Sequence, residues 1–409
     1  MANLFDGIDD IDWQALKLGK IPQALRDLLS DDDEIRKSAF SIISERLYDR
    51  VPDGGLISKD LIFVLPYLFR LLSSPDYPYK VELLRLIRLG RYSIEVSQHE
   101  EICKMYMSHH ELFLSLLYSD DLRTAITTAK VVCSTFHEVF YEFKYENSYQ
   151  MIETEHNQLI DVIQRILAFP TSPELKEALF EEGYIVSLAL MEKYDEETDI
   201  YSPCLSDDKI NLFIETIKNV AIGSPPSMLR IDAAHAITMF SEHMETPEII
   251  LTILSEPYIY PDEYRIAFES MYTERYKNLK HAQSNSLKGL KRAGEYGIST
   301  LINLIEGIAD ESTISDLMRT LWDVTKLKTQ PHDMRGKQLL LHNFILLSAQ
   351  QIKAIETTVK SDIFWQTYPL HMKYIYGSFY IPDTRVSVYF QLELDREKLR
   401  DMLENSLAL

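Results

Sequence analysis

The chain has 409 residues, 46% of them hydrophobic and 26% charged, with only 13 Gly and 16 Pro. That composition excludes a disordered polymer and favours long helices over a turn-rich β-protein. Its 42 Lys and Arg against 63 Asp and Glu leave a formal net charge of −21, which repels nucleic acid and anionic membrane at long range and attracts a basic partner.

The opening "MANLFDGIDDIDWQAL" lacks the basic flank and apolar run of a signal peptide. Residues 1–20 read as an N-terminal cap segment containing Trp13. Ile21, Leu25, Leu28 and Leu29 then fall at helical spacing, and Ile35, Ala39, Ile42, Ile43 and Leu47 resume the period after an acidic break. Two helices joined by a tight turn are predicted. Asp31, Asp32 and Asp33 suit that turn, because a short carboxylate caps free N–H groups and complements the dipole of the second helix. The design recurs with Leu65, Leu68, Leu71 and Leu72, a Ser-Ser-Pro-Asp turn, then Val81, Leu84 and Ile87. It recurs again with Leu112, Phe113, Leu116 and Leu117, followed by Ala125, Ala129, Val132 and Phe136. The turn residues Ser30, Ser73 and Ser119 are about 45 residues apart, the period of HEAT-type helical hairpins.

Residues 159–183 form a degenerate unit, and 212–242 a clear fourth copy. There Ser224 precedes Arg230 by six positions, as Ser30 precedes Arg36. Small residues follow in both (Ser38 and Ala39; Ala233 and Ala234), which lets the helices of a hairpin approach closely. Residues 298–324 read as a further hairpin. The fold class expected is all-α: a right-handed α-solenoid of about seven hairpins over residues 21–350. Loop insertions are expected near 194–209, acidic, and near 277–297, carrying Lys277, Lys280, Lys288, Lys291 and Arg292. After the break "TQPHDMRGK", residues 372–394 read as a β-hairpin and 395–407 as a short helix. Residues 351–409 are thus expected to be a small α/β cap over the end of the array.

The pattern from Ser30 to Ala39 resembles HEAT repeats. The stretch "IDDIDWQALKLGKIPQALRDLLSDDDEIRKSAF", with Trp13 ahead of the first hairpin, is similar to a group of bacterial HEAT-repeat proteins whose genes often sit beside those of toxins or effectors. This likeness covers roughly the first 90 residues; "VPDGGLIS" only partly echoes the Gly-rich segment of that group. The resemblance implies an immunity protein that neutralises a cognate toxin by occlusion. Repeat fold alone does not fix that role.

No catalytic, cofactor-binding or metal constellation is legible. The phosphate-binding glycine loops, the GxSxG elbow and the HExxH helix are all missing. Adjacent His109 and His110 would point about 100° apart on a helix, so they read as a helix start and not a chelate. His235 and His243 look structural. Cys103, Cys133 and Cys204 are scattered, fitting reduced thiols in a cytoplasmic protein better than a disulfide or zinc framework. No window reaches the roughly 18 apolar residues of a membrane span. Recognition features are more visible. Tyr141, Tyr145 and Tyr149 interleave with Glu138, Glu142 and Glu146 to give an aromatic and an acidic stripe on a helix. With Asp31, Asp32 and Asp33 and the acidic loop residues Glu196, Glu197, Asp199 and Tyr201, these are the candidate contacts for a basic protein partner. The expected function is therefore non-catalytic protein binding, without cofactor or membrane. A general scaffold or adaptor is the alternative. A base-excising enzyme of the alkylation-repair type and a chromophore-lyase subunit fit less well, the first because it needs a basic channel. Oligomeric state stays open.

Overall fold

The computed structural model describes residues 4–47, 61–90, 99–137, 139, 149–180, 183–195, 200–240, 248–271, 290, 294–307, 311–328, 338–341, 344–367, 374–381 and 386–407. Among them are nineteen α-helices and six short strands. The chain divides into two compact units, Met1–Thr216 and Ile217–Leu409.

The first unit is a stack of helical hairpins, as the turn spacing predicts. Helices α1 (Ile21–Asp27) and α2 (Asp33–Leu47) form the first, and α3 (Leu61–Ser73) and α4 (Lys80–Gly90) the second. Helices α5 (His99–Ser108), α6 (His110–Leu117) and α7 (Leu122–Val131) form the third level, with α8 (Tyr149–Ala168) and α9 (Pro173–Phe180) above them. Helix α10 (Tyr184–Ala189) packs on α9. The second helices, α2, α4, α7 and α9, pack each on the next, and α3, α5, α6 and α8 do the same as a separate layer. No hairpin can bury its apolar stripe alone, so stacking is what closes the core. Leu65, Leu68, Leu71, Leu72, Leu84 and Ile87 are all fully buried there.

The N-terminal segment packs on α1 and α3. Ile8, Trp13 and Leu18 are buried, and the Trp13 indole N–H donates to the Ile8 carbonyl. Arg26 pairs with Asp9 at 2.7 Å, and Arg70 donates to the Asp6 carbonyl at 2.7 Å. At the other side α7 runs into a π-helical turn, Val132–Phe136, in which the Cys133 thiol donates to the Leu179 carbonyl of α9 at 3.3 Å.

Two histidines in this unit are buried in their neutral form. Burial pushes the His110 imidazole below its ordinary pKa, partly offset by the Glu111 carboxylate and the Glu155 backbone. Burial does the same to His156, whose Nε2–H donates to the Leu188 carbonyl at 2.6 Å, with Lys209 adding to the depression and Glu153 opposing it. A depressed histidine is neutral in the fold and takes up its proton on unfolding, so its contribution is intact above the unfolded value near 6.5 and is lost as pH falls below it. The chemical-denaturation midpoint is accordingly expected to be lower at pH 5.5 than at pH 7.5. His156→Gln should flatten that dependence; an unchanged pH slope in the variant would contradict the assignment.

The second unit repeats the hairpin design and ends differently. Helix α11 (Asp207–Gly223) contains the boundary between the units. Helix α12 (Met228–Met239) packs on α13 (Glu248–Ile259), and α14 (Pro261–Met271) contacts both. Helix α15 (Gly294–Gly307) packs on α13, on α16 (Glu311–Val324) and on α17 (Ala349–Lys360). Ala233 and Ala234 of α12 are fully buried, at the place where small residues were expected to permit close approach. Ser348 and Gln351 form a reciprocal capping box at the start of α17. Helix α18 (Asp362–Thr367) lies on α16, where Phe364 meets Trp322 edge-on at 5.5 Å.

The predicted C-terminal β-hairpin and helix are present as β5 (Tyr374–Ile381), β6 (Val386–Glu393) and α19 (Arg396–Leu407), the last packed on α17. The sheet is wider than the hairpin. Strands β3 (Leu327–Lys328) and β4 (Gln338–Leu340) flank it in the order β3-β5-β6-β4, with only β4 and β6 parallel. Gly377 of β5 lies opposite Phe390 of β6, and a Cβ there would collide with the Phe390 ring; glycine lets that ring lie across the strand.

Two stretches expected as loop insertions carry regular structure at their edges. The segment 194–209 is not simply a loop: β1 (Glu192–Asp195) and β2 (Ile200–Pro203) pair antiparallel across it, and α11 begins at Asp207. Of the stretch 277–297, residues 294–297 already belong to α15. Lys277, Lys280, Lys288, Lys291 and Arg292 lie outside the described residues.

Candidate protein-binding surface

Two turns of the first unit share one construction. In the turn after α1, the Ser30 hydroxyl accepts from the Asp32 N–H at 3.1 Å, and Asp32 Oδ1 accepts from Glu34 at 2.9 Å and Ile35 at 3.4 Å. In the turn after α6, Ser119 accepts from the Asp121 N–H at 3.2 Å, and the Asp121 carboxylate accepts from Arg123 and Thr124, each at 3.2 Å. Leu29-Ser30-Asp31-Asp32 and Tyr118-Ser119-Asp120-Asp121 are therefore equivalent, two repeat periods apart. In each, serine orders the turn and the second aspartate caps the next helix. The Thr124 hydroxyl and these N–H groups hold the Asp121 carboxyl below the usual carboxylate range. Asp31 and Asp120 are exposed and take no part in either cap. Asp121→Ala is expected to cost about 1 kcal/mol, the usual worth of a cap. Asp120→Ala should leave the denaturation midpoint unchanged. Equal effects from the two substitutions would contradict the division of roles.

The six-residue Ser–Arg spacing has a physical reason. Arg36 Nη1 reaches back to the Ser30 carbonyl at 3.0 Å, and Arg230 Nη1 reaches the Ser224 carbonyl at 2.8 Å. Each guanidinium satisfies a carbonyl that the preceding helix leaves without an intrahelical partner. Arg36 also lies over the Tyr79 ring at 3.4 Å, and the Tyr77 hydroxyl donates to the Leu28 carbonyl at 3.2 Å. The turns of the first two hairpins are thereby clasped side by side.

The predicted contact residues separate as follows. Asp32 caps α2. Asp33 instead pairs with Arg36 and with Lys37, whose hydrogen bond is the main cause of its lowered pKa. Glu138, Tyr141, Glu142, Tyr145 and Glu146 lie outside the described residues, as do Glu196, Glu197 and Asp199. Tyr149 opens α8, and Tyr201 of β2 stands opposite Tyr194 of β1. His109 and His110 do start α6, and the His109 ring stacks on Phe69 at 4.2 Å. His235 lies within α12, while His243 is outside the described residues. Among the described residues no group of His, Cys, Asp or Glu is placed to hold a metal, and no helix is long and apolar enough to cross a membrane.

What the sequence reading missed is apolar. Leu29, Tyr118 and Phe169 each end a first helix at its turn, and are 45%, 54% and 62% exposed. Ile35 and Leu122, just beyond the first and third turns, are exposed too. The signal available was the echo of Leu29–Asp32 in Tyr118–Asp121, which places a large apolar residue before each Ser-Asp-Asp.

No protein-family model and no curated protein matches the chain. Among solved structures, one engineered protein is 15% identical over 67% of this chain and 98% of its own, with a TM-score of 0.37. A second engineered protein is 11% identical over 66% and 97%, with a TM-score of 0.38. A designed armadillo repeat protein in complex with the peptide (KR)4 is 13% identical over 66% and 99%, with a TM-score of 0.37.

Proposed function

We propose that this chain is a non-catalytic repeat protein that binds a basic protein partner, and more finely that it is an immunity protein which neutralises a bacterial toxin or effector by covering its working surface. The observation that carries the reading is the pairing of exposed carboxylate with exposed apolar side chain at equivalent turns, on a chain of net charge −21. Carboxylates speed the encounter with a basic surface, and desolvated aromatic and aliphatic contacts slow dissociation. The toxin-directed part rests on the likeness of residues 8–40 to the immunity-associated HEAT group. In this reading Asp31 and Asp33, the stripe Glu138–Tyr149 and the residues Glu196, Glu197, Asp199 and Tyr201 supply contacts, while residues 1–20 cap the first unit and 351–409 cap the second.

The test is affinity capture from the native host with tagged protein at low and moderate salt, followed by calorimetric titration of the purified candidate. One basic protein recovered in stoichiometric amount and binding with measurable heat supports the reading. Inhibition of that protein's toxicity would support its finer part. Recovery of nucleic acid alone, or of nothing at either salt, overturns it.

A further inference from the structure

We infer that the turn edge of the first unit is the docking surface, and that its occupant is a basic amphipathic helix of a protein partner. This rests on the protein-binding reading and adds the place and the chemistry.

The hairpins of Met1–Thr216 stack level on level, so their turns between first and second helices come to one edge. Packed helices are about 8–10 Å apart. Leu29, Tyr118 and Phe169 stand at the first, third and fourth levels, so the row they make is roughly 30 Å long. The second level contributes no large exposed aliphatic or aromatic side chain, because Tyr77 is buried against the first turn and Tyr79 lies beneath Arg36. It adds exposed Pro75, Asp76 and Pro78 instead.

A helix rises 1.5 Å per residue, so side chains seven apart on one face advance by about 10.5 Å. That matches one level of the stack, and about 20 residues of helix would span the row. The occupant's charge follows from Asp31, Asp76 and Asp120, exposed beside the apolar residues. The exposed cations beside these turns are Lys37, already paired with Asp33 and Glu34, Arg123, and Arg165 in the last turn of α8. The exposed carboxylates Asp33, Glu34, Asp121 and Glu174 outnumber them. A second copy of this acidic edge, or an anionic bilayer, would be repelled by it.

The probes are two fluorescein-labelled helical 20-mers of equal positive charge. One carries lysine with leucine along a single face, and the other has serine in place of each leucine. At low salt the wild-type chain should bind the Lys/Leu peptide about tenfold or more tightly than the Lys/Ser peptide. The triple variant Leu29→Ser, Tyr118→Ser, Phe169→Ser should lose that preference while keeping its affinity for Lys/Ser. Asp31→Asn with Asp120→Asn should weaken both and lessen the salt dependence. Ile249→Ser, an exposed aliphatic of the second unit, should change nothing. Because every replaced side chain is exposed, an unchanged circular-dichroism spectrum and melting point are expected alongside.

If the triple variant binds Lys/Leu as wild type does, or Ile249→Ser costs as much, this edge is not the surface and the protein-binding reading stands on the capture experiment alone. If wild type shows no preference for Lys/Leu, the amphipathic occupant is wrong, whatever the capture yields. If capture recovers no protein, the wider reading fails independently of the peptides.

Discussion

Glu256→Ala is expected to destabilise the helices around it by about 3–5 kcal/mol, the cost of breaking a buried ion pair from one side. Glu256 lies in α13 with its side chain 8% exposed, facing Arg230 of α12 at 18%. Its Oε1 accepts from Arg230 Nη2 at 2.8 Å, and its Oε2 accepts from the Tyr264 hydroxyl of α14 at 2.6 Å. Arg230 also donates to the carbonyls of Ile222 and Ser224, so one carboxylate ties α12 and α14 to the turn that ends α11. Removing it leaves a largely buried cation without its counter-charge. It also leaves a phenol that is 0% exposed without its acceptor. Burial first, and then the bond to Glu256, push the Tyr264 phenol well above its ordinary range, so it remains a donor at any pH the protein survives. Glu256→Gln keeps an acceptor for Tyr264 and should cost distinctly less. Hydrogen exchange of the full chain, read on peptides from α12–α14, measures the local effect. Protection within about 0.5 kcal/mol of wild type would show that the network contributes little. Arg36 supplies the contrast. Its guanidinium is as buried as that of Arg230, but its partner Asp33 is more than half exposed and screened by water. Without that carboxylate Arg36 keeps the Ser30 carbonyl and the Tyr79 ring, so Asp33→Ala should cost less than Glu256→Ala.

The same two arginines show what the sequence could and could not disclose. Their six-residue distance from a turn serine was visible, because turn and helix residues are local and the period is regular. Their partners were not. Arg36 meets Tyr79 of the next hairpin and Arg230 meets Glu256 of α13, and nothing local in sequence distinguishes the ring from the carboxylate. Hairpins with strong apolar stripes, such as Leu65–Leu72, were legible for the reason that they fold: the period of 3.6 is both the signal and the buried face. The strands Glu192–Asp195 and Ile200–Pro203 escaped because each is only four residues long, and neither Glu-Lys-Tyr-Asp nor Ile-Tyr-Ser-Pro shows the alternation that marks a half-buried strand. Leu327–Lys328 and Gln338–Leu340 are shorter still. At the candidate surface, Asp31 and Asp33 were noticed for their charge, while Leu29 was read as part of a buried stripe and Phe169 was not singled out. An apolar residue at the last turn of a helix looks the same in sequence whether the next level covers it or stops short.

The other large effect is expected at Phe113, where truncation to alanine should cost about 3–5 kcal/mol. Phe113 of α6 is fully buried, with its ring 5.2 Å from Phe136 at 78° and 6.0 Å from Phe69 at 89°. It is also 6.4 Å from Tyr106 at 20°. Phe69 belongs to α3, Tyr106 to α5 and Phe136 to the π-helical turn after α7, so one ring joins successive levels of the stack. The cost depends on how far neighbours can collapse into the space left. Here they cannot move far, because the Tyr106 hydroxyl is fixed to the Ile87 carbonyl at 2.8 Å and Phe69 is held between Tyr106 at 5.4 Å and His109 at 4.2 Å. Phe113→Leu, which keeps most of the volume, should cost less than half as much. Combining Phe113→Ala with Phe136→Ala should cost less than the sum of the two, since each ring loses the other's contact only once. Denaturant titration of the full chain, with hydrogen exchange read on α3 and α5–α7, would measure all four variants against wild type. Strict additivity, or a loss confined to α6, would mean that the levels are held independently. A shared loss across α3, α5 and α7 would also lower the order of the turn that carries Tyr118 and Asp120, linking the aromatic core to the surface above it.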